Sequence, residues 1–418
     1  MTAPNPHTRS DIHAVPTGKL HPHLRLRAVS RLLLATVLLG ACTQSTARPL
    51  TPLSLVSAEV HRTVLDSVRR VVDQAVHEGA FPGAYAVIGT REGILAEYGA
   101  GRLDSADASR PTARTIWDLA SLTKVVGTTS ALLQLVGSGR VVLDTPVVRY
   151  LPEWTVPGAQ RVTVRHLLSH SAGLPAWRAL YKETDTPSEA WRQVLATPLD
   201  TVPGTRFLYS DLGFMLLGRL VERVSGTALA DFDVQRVFLP AGMMETRYLP
   251  PTSWRSRIAP TEQDPWRQRK VRGEVHDENA ARVGGVSGHA GLFSTAHDLA
   301  RFARLYLNEG TLDGTTVFDA ATVRSFIQVQ DTAISRRALG WETPTGRNSA
   351  GQRMTPMAFG HTGFTGTSLW MDPGQNLFVL LLTNRVNPTR QNTRIGTVRT
   401  ALADAVVGAL PRVSPGTP

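Results

Sequence analysis

Ser121-Leu122-Thr123-Lys124 decides the reading of this sequence, because the chain hardly uses lysine. Of its 45 basic residues only four are lysine: Lys19, Lys124, Lys182 and Lys270. A guanidinium stays charged in any protein setting, whereas burial or a neighbouring cation can drive an ammonium to neutrality. If a helix starts at Ser121, residues 121 and 124 share one face, one turn apart. A titratable amine then stands beside a hydroxyl that is unreactive until a base takes its proton. To act at neutral pH the amine needs its pKa lowered by roughly 3 units, on the order of 4 kcal/mol. Chance also produces this spacing, and the plain alternative is a helix start with a solvated lysine. Companion motifs have to decide.

Working outward, Leu132, Leu133 and Val136 give Ser121–Val136 the apolar stripe of a helix. Upstream, Val60, Val64, Leu65, Val68, Val71, Val72 and Val76 recur at helical spacing. Ala84–Thr90 and Ile94–Gly99 read as two strands of a hairpin turning at Arg91-Glu92-Gly93. From about residue 142 to 290 proline and glycine breaks separate short helical patterns such as Phe214–Val224. Thr367–Met371 and Leu377–Thr383 read as strands around the Asp372-Pro373-Gly374 turn, and Gly396–Leu410 as a closing helix. Strands at both ends with a mostly helical middle predict an α/β (α+β) domain carrying a helical insertion.

Composition narrows the function classes. The 418 residues carry a formal charge of +11, but the arginines are scattered rather than striped, which argues against nucleic-acid binding. Arg25, Arg27 and Arg31 precede the apolar run Leu32–Gly40, which is too short to span a bilayer and suits a signal segment. It ends in Leu39-Gly40-Ala41-Cys42 and resembles a bacterial lipoprotein signal. That implies a signal peptide over 1–41, lipidation of Cys42, a tether over 42–58 and an exported protein anchored in the cell envelope. Cys42 is the only cysteine, so a disulfide and a Cys/Cys metal site are excluded.

Two further motifs follow the first in order. Tyr209-Ser210-Asp211 lies behind the Pro203-Gly204-Thr205 turn and just before an apolar helix, and His361-Thr362-Gly363 precedes a strand. Ser-x-x-Lys, Tyr-Ser-Asn/Asp and Lys/His-Thr-Gly together resemble the signature of the serine β-lactamase and penicillin-binding superfamily. The tyrosine version is similar to the class C branch and its D-alanyl-D-alanine carboxypeptidase and esterase relatives. Val162–Pro175, Pro203–Leu217, Leu239–Thr246 and Gly360–Asn384 extend the resemblance. His276-Asp277-Glu278-Asn279-Ala280 with Gly284–Ser294 resembles the penicillin-binding protein 4B-like subgroup.

The resemblance covers about 59–409 and implies an antiparallel sheet flanked by helices. The α/β part would be 59–140 and 291–409, the helical part 141–290, and 410–418 a flexible tail. It implies Ser121 as acylated nucleophile, Lys124 as base or proton shuttle, and Tyr209 across from them with its pKa lowered by cationic neighbours. Which of Lys124 and Tyr209 is the base stays open. Backbone N–H groups of Ser121 and Phe364 would form the oxyanion hole. Thr362 would offer a hydroxyl and Gly363 room for substrate, while His361 would titrate near 6.5. Asp211 stands where relatives carry asparagine. A carboxylate only accepts, so it weakens the case for β-lactam hydrolysis and suits a substrate ammonium or a structural cation.

Among the other polar residues, His166 and His170 have a spacing that suits a metal, but nothing else supports one, and packing or capping is favoured. His276, Asp277 and Glu278 either face the cleft or anchor a loop, and His289 reads as a loop anchor. The expected activity is that of a D,D-carboxypeptidase or D-amino-acid peptidase, with no metal or cofactor. Alternatives are a small-ester esterase, a β-lactamase, or a slowly deacylating penicillin- or peptidoglycan-binding lipoprotein. The expected partners are a small-molecule or peptide acyl substrate, peptidoglycan, and the membrane through the lipid.

Overall fold

Strand Gly83–Gly89 is buried along its whole length, and its side chains divide with period two. Ala84, Ala86 and Ile88 enter one apolar cluster, Tyr85 and Val87 the other. Leu377–Thr383 repeats the division, with Leu377, Val379 and Leu381 on one face and Phe378, Leu380 and Leu382 on the opposite face. A sheet covered on both faces reads as a continuous apolar run, as both strands do. The computed structural model describes residues 58–411 apart from 105, 107 and 347. The readings of a signal peptide, Cys42 lipidation and nearly all of the tether and tail lie outside those residues.

The main sheet has five antiparallel strands. Their order is Phe359–Thr362, Ser368–Asp372, Leu377–Thr383, Gly83–Gly89, Ile94–Gly101. Helices Ala58–His77 and Ile395–Ala409 pack together on one face, the former through Val64, Val68, Val72 and Ala75 at i,i+4 spacing. Ala296–Leu307 covers the other face. The strand carrying His361 and Thr362 is thus at the sheet edge, its outer side bridged by Glu342 at Gly360, just before those two residues.

A second sheet pairs Leu292–Thr295 with Ile116–Asp118 and Arg247–Tyr248. The chain leaves Ile116–Asp118 and turns at once into the Ser121 segment. The predicted single helix is here composite: a 3-10 turn at Ala120–Leu122, a π-helical stretch at Lys124–Thr129, then an α-helix over Ser130–Gly137. Packing and a competing hydroxyl account for the wide stretch. A Cβ on Gly127 would stand 2.7 Å from Asp233 Oδ2 and 2.9 Å from Tyr248 Oη, and Ser130 Oγ donates to Val125 O at 3.0 Å. π-turns are rare and concentrate at functional sites.

Candidate active site

The turn that presents Ser121 is strained and buckled in place. Ala120 adopts φ +46°, unusual for a residue with a side chain. The buried Asp118 carboxylate holds it, accepting the Ala120 N–H at 2.8 Å and the His276 N–H at 2.6 Å. From the other side, Thr365 Oγ1 donates to Asp118 O at 2.7 Å and Thr367 Oγ1 to Leu119 O at 3.0 Å. The loop after the third motif is therefore tied to the residues just before Ser121.

Lys124 is fully buried, and its ammonium donates to Ser121 Oγ at 3.0 Å and to His289 O at 3.1 Å. It also pairs as an ion with Asp211 Oδ1 at 2.7 Å. Burial alone would expel the proton, but Asp211 and Tyr209 outweigh it and raise the pKa above the ordinary lysine value. The expectation of a lowered lysine pKa is overturned, because Asp211 supplies a full counter-charge where asparagine would supply none. Of the two readings of Asp211, a substrate ammonium or a structural cation, the contact with Lys124 favours the second: it already pairs with an internal cation.

Tyr209 also departs from expectation. Its hydroxyl interacts with Ser121 and Lys124, and the Lys124 ammonium lies 5.0 Å from its ring centroid. Burial nevertheless outweighs Lys124 and raises the phenol pKa, so at neutral pH Tyr209 is a donor. Ser210 places it: Ser210 Oγ accepts the Gly213 N–H at 3.2 Å as the N-cap of helix Asp211–Ser225 and donates to Pro175 O at 2.6 Å. Asp211 then falls in the first turn, where the helix dipole favours an anion.

Ser121, Tyr209, His361, Thr362, Gly363 and Phe364 line one open cleft of about 360 Å³. His361 is buried and does not titrate near 6.5; burial pushes it down to about 3. Its Nδ1–H donates to Thr362 O at 2.8 Å, which leaves Nε2 as a neutral acceptor with no partner within the protein. Gly363, which lines that cleft, carries a second constraint. A Cβ there would stand 2.1 Å from Thr367 Oγ1 and 2.3 Å from Leu119 O. Its smallness therefore also serves the contact with the Ser121 turn. Phe364 is 47% exposed, stacked on His276 with centroids 5.7 Å apart.

The other four histidines that the sequence singles out make structural contacts. His166 Nδ1 accepts the Thr163 N–H at 3.2 Å in a capping box. His170 Nδ1 accepts the Ser210 N–H at 3.1 Å, and its ring lies 4.4 Å from Tyr209. His276 pairs with Glu262 at 2.9 Å, and Glu278 with Arg390 at 2.6 Å, which is the loop-anchoring role. His289 Nε2 meets Asp277 Oδ1 at 2.9 Å and its Nδ1 meets Ser287 Oγ at 2.8 Å. Burial opposes ionisation of Asp277, but His289 prevails and holds its carboxyl low. Asp211, Asp277 and His289 bring three ligand atoms within 4.8 Å of one another. Both His289 nitrogens are engaged and Lys124 already neutralises Asp211, so the cluster is an ion network around an internal cation.

Sequence reasoning missed Asp118, Arg399 and Glu342. Arg399 donates to Gly363 O at 2.8 Å and Thr367 O at 2.7 Å. Glu342 lines the cleft and, with Arg337, an adjoining cavity of about 410 Å³. None belongs to a local motif, and only tertiary contact reveals them.

Comparison with known proteins agrees with this arrangement. The Beta-lactamase family model matches residues 68–403. An N-acetylmuramyl-L-alanine amidase of Bacillus subtilis (strain 168) is 33% identical over 79% of this chain and 84% of its own length. An Escherichia coli (strain K12) protein named "Putative D-alanyl-D-alanine carboxypeptidase" is 32% identical over 66% of this chain and 70% of its own. Among solved structures, a penicillin-binding protein homologue from Caulobacter crescentus superposes with TM-score 0.68 at 22% identity, covering 83% of this chain and 98% of its own. EstCE1, a hydrolase with promiscuous acyltransferase activity, gives TM-score 0.69 at 22% identity, with 83% and 99% covered. The chain belongs to the Beta-lactamase family and is a serine hydrolase of the β-lactamase and penicillin-binding superfamily.

Proposed function

We propose that this hydrolase works through an acyl-enzyme on Ser121 and cleaves amide bonds of peptidoglycan. The observation that carries it is the 3.0 Å contact between Ser121 Oγ and Lys124 Nζ beside an open cleft. Ser121 Oγ bonds the substrate carbonyl carbon, the C–N bond breaks, and the hydroxyl proton leaves with the amine. Water then replaces the serine oxygen and returns a proton to Ser121. Backbone N–H groups of Ser121 and Phe364 receive the oxyanion, held in relation by the Thr365 and Thr367 bonds.

Lys124 and Tyr209 both hold their protons, so the Asp211 carboxylate paired with Lys124 is the acceptor beside them. Lys124 takes the Ser121 proton as it passes one of its own to Asp211. Tyr209 donates to the leaving nitrogen and is reprotonated from Asp211 through Lys124, so the net proton carried off by the amine is the one Ser121 gave up. The neutral Nε2 of His361 accepts a hydrogen bond from substrate.

The first substrate reading is a D,D-carboxypeptidase acting on peptides ending in D-alanine, in line with the name of the Escherichia coli relative. A second, cleavage between the muramyl lactyl group and L-alanine, draws support from the more extensive match to the Bacillus subtilis amidase. The test compares release of D-alanine from a D-Ala-D-Ala peptide with cleavage of N-acetylmuramyl-L-alanyl-D-isoglutamine, using wild type and Ser121→Ala. One of the two amides should turn over and the variant should be inert. Turnover of p-nitrophenyl esters alone would make the protein an esterase, and lasting fluorescent-penicillin label without turnover a slow-deacylating binder. We propose further that Cys42 is lipidated and holds the enzyme at the envelope. Cys42→Ser should then release activity from the membrane fraction, and continued sedimentation with membranes would count against it.

A further inference from the structure

Six of the eight tryptophans pack into or against the apolar clusters of the core: Trp117, Trp154, Trp191, Trp254, Trp341 and Trp370. Trp177 and Trp266 do not. Together with Tyr181 they form a row of their own, with centroids 6.3 Å apart between Trp177 and Tyr181 and 5.0 Å apart between Tyr181 and Trp266. Trp177 is 48% exposed. Aromatic surface that serves no core marks an interaction site.

The row is held rigid. Asn279 Nδ2 donates to Arg178 O at 2.7 Å, and the Tyr181 N–H donates to Asn279 Oδ1 at 3.2 Å. Arg282 Nη2 donates to Tyr181 O at 3.0 Å. The Arg267 and Arg282 guanidiniums lie 4.9 Å and 5.4 Å from the Trp266 ring centroid. Little conformational freedom is left to lose when a ligand lands on these rings.

The row is tied through the backbone to the middle motif. Ala176 O accepts the Asp211 N–H at 3.0 Å, and Asp211 grips Lys124, so Trp177 is the next residue along a strap anchored in the middle motif. We infer that Trp177, Tyr181 and Trp266 form a subsite for a pyranose ring, the N-acetylated amino sugar on the acyl side of the scissile bond. The inference rests on the cell-wall reading above and sharpens it, favouring a substrate whose sugar is joined to the attacked carbonyl by a short link. A pyranose offers an apolar C–H face to an aromatic ring and turns its hydroxyl and acetamido groups outward. Arg267 and Arg282 are bonded to protein carbonyls and brace the Trp266 ring, while the Lys182 ammonium, 5.6 Å from the Tyr181 ring centroid, borders the row and is placed to meet those groups.

The full chain and its Trp177→Ala and Tyr181→Ala variants should be assayed on N-acetylmuramyl-L-alanyl-D-isoglutamine and on p-nitrophenyl acetate. The ratio of kcat/KM on the muramyl amide to that on the ester should fall about tenfold or more in Trp177→Ala, chiefly through KM. Equal loss on both substrates, or on neither, overturns the subsite. In parallel, the Ser121→Ala protein is titrated with N-acetylmuramic acid while its tryptophan fluorescence is followed. The response should vanish when Trp177→Ala is added. A response to phosphatidylglycerol vesicles but not to the sugar would make the row a membrane-facing patch and overturn the inference. Inactivity of wild type on both substrates would sink the hydrolase reading instead, with the fluorescence titration still deciding the sugar.

Discussion

The two banks of the cleft are built from different physics. On the sheet side, Thr362–Thr367 is held by donors that keep their protons at working pH: Thr365 to Asp118 O, Thr367 to Leu119 O, and the Arg399 guanidinium to the carbonyls of both Gly363 and Thr367. On the helical side carboxylates carry the contacts: Asp211 with Lys124 and Asp277 with His289. Hydrogen bonds from donors of the first kind fix positions and are indifferent to pH, whereas carboxylates coupled to a lysine and a histidine decide where protons reside. The sheet bank therefore sets the geometry of attack and the helical bank sets its proton inventory. Breaking the two should give distinguishable defects.

The largest effect should come from the junction of the banks. Lys124→Ala should lower kcat/KM for any acyl substrate by about 10²–10⁴-fold. Lys124→Arg should do nearly as much damage, since a guanidinium cannot exchange its proton with Ser121. Ester turnover measured across the pair checks this, and an active arginine variant would reduce the site's demand to positive charge.

Next comes Asp211→Asn, which keeps the shape and removes the charge. Acting as final acceptor, Asp211 should be worth about 10²-fold in kcat/KM at neutral pH. Without it Lys124 also loses the partner that raises its pKa, and burial then pulls the amine downward. A pH–rate profile separates the outcomes: lost activity at every pH supports the carboxylate as acceptor. Undiminished activity with a profile displaced to lower pH would return that role to the free amine.

Gly363→Ala strikes the sheet bank alone. The added methyl would meet Leu119 O at 2.3 Å, a backbone atom that cannot swing aside. Overpacking of this kind costs about 1–3 kcal/mol and should show as a lowered Tm. Turnover should fall through a misplaced Ser121 while the pH profile keeps its shape. A changed profile would contradict the division of labour.

The same division explains what the sequence could disclose. The strands were legible because period-two burial is local: Leu377–Thr383 was read with the bounds it has, and Asp211–Ser225 and Ile395–Ala409 lie close to the helices read there. Ser121, Lys124, Tyr209 and His361 were legible through motif order, and the structure brings them together. Protonation was not legible. Whether Lys124 is lowered by burial or raised by a carboxylate depends on Asp211, which is 87 positions away in sequence and 2.7 Å away in space. The second constraint on Gly363 was hidden for a related reason: it comes from the Leu119 carbonyl, which no local pattern around the third motif announces. The strap of Trp177 and Tyr181 drew no expectation at all, because two aromatics four apart look like any helix face.

The effect expected to be smallest in turnover is read in stability instead, and it tests whether the His361 imidazole is neutral. In the unfolded chain it titrates near 6.5, and in the folded protein burial holds it down to about 3. Between those values the unfolded state binds the extra proton and the folded state does not. The contribution is therefore fully present above pH 6.5 and is lost as pH falls toward 3, at up to about 1.4 kcal/mol for each pH unit. His170 is buried beside Tyr209 and lowered by the same cause, so it adds a parallel slope that must be subtracted. Denaturant midpoints of wild type and His361→Gln from pH 7 to pH 4 provide that subtraction. The variant should be the less stable protein at pH 7, where the Nδ1 bond to Thr362 O is lost, and should give up less on acidification. Parallel curves for the two proteins would mean that His361 accepts a proton in the folded state, giving the sheet bank a titrating group of its own.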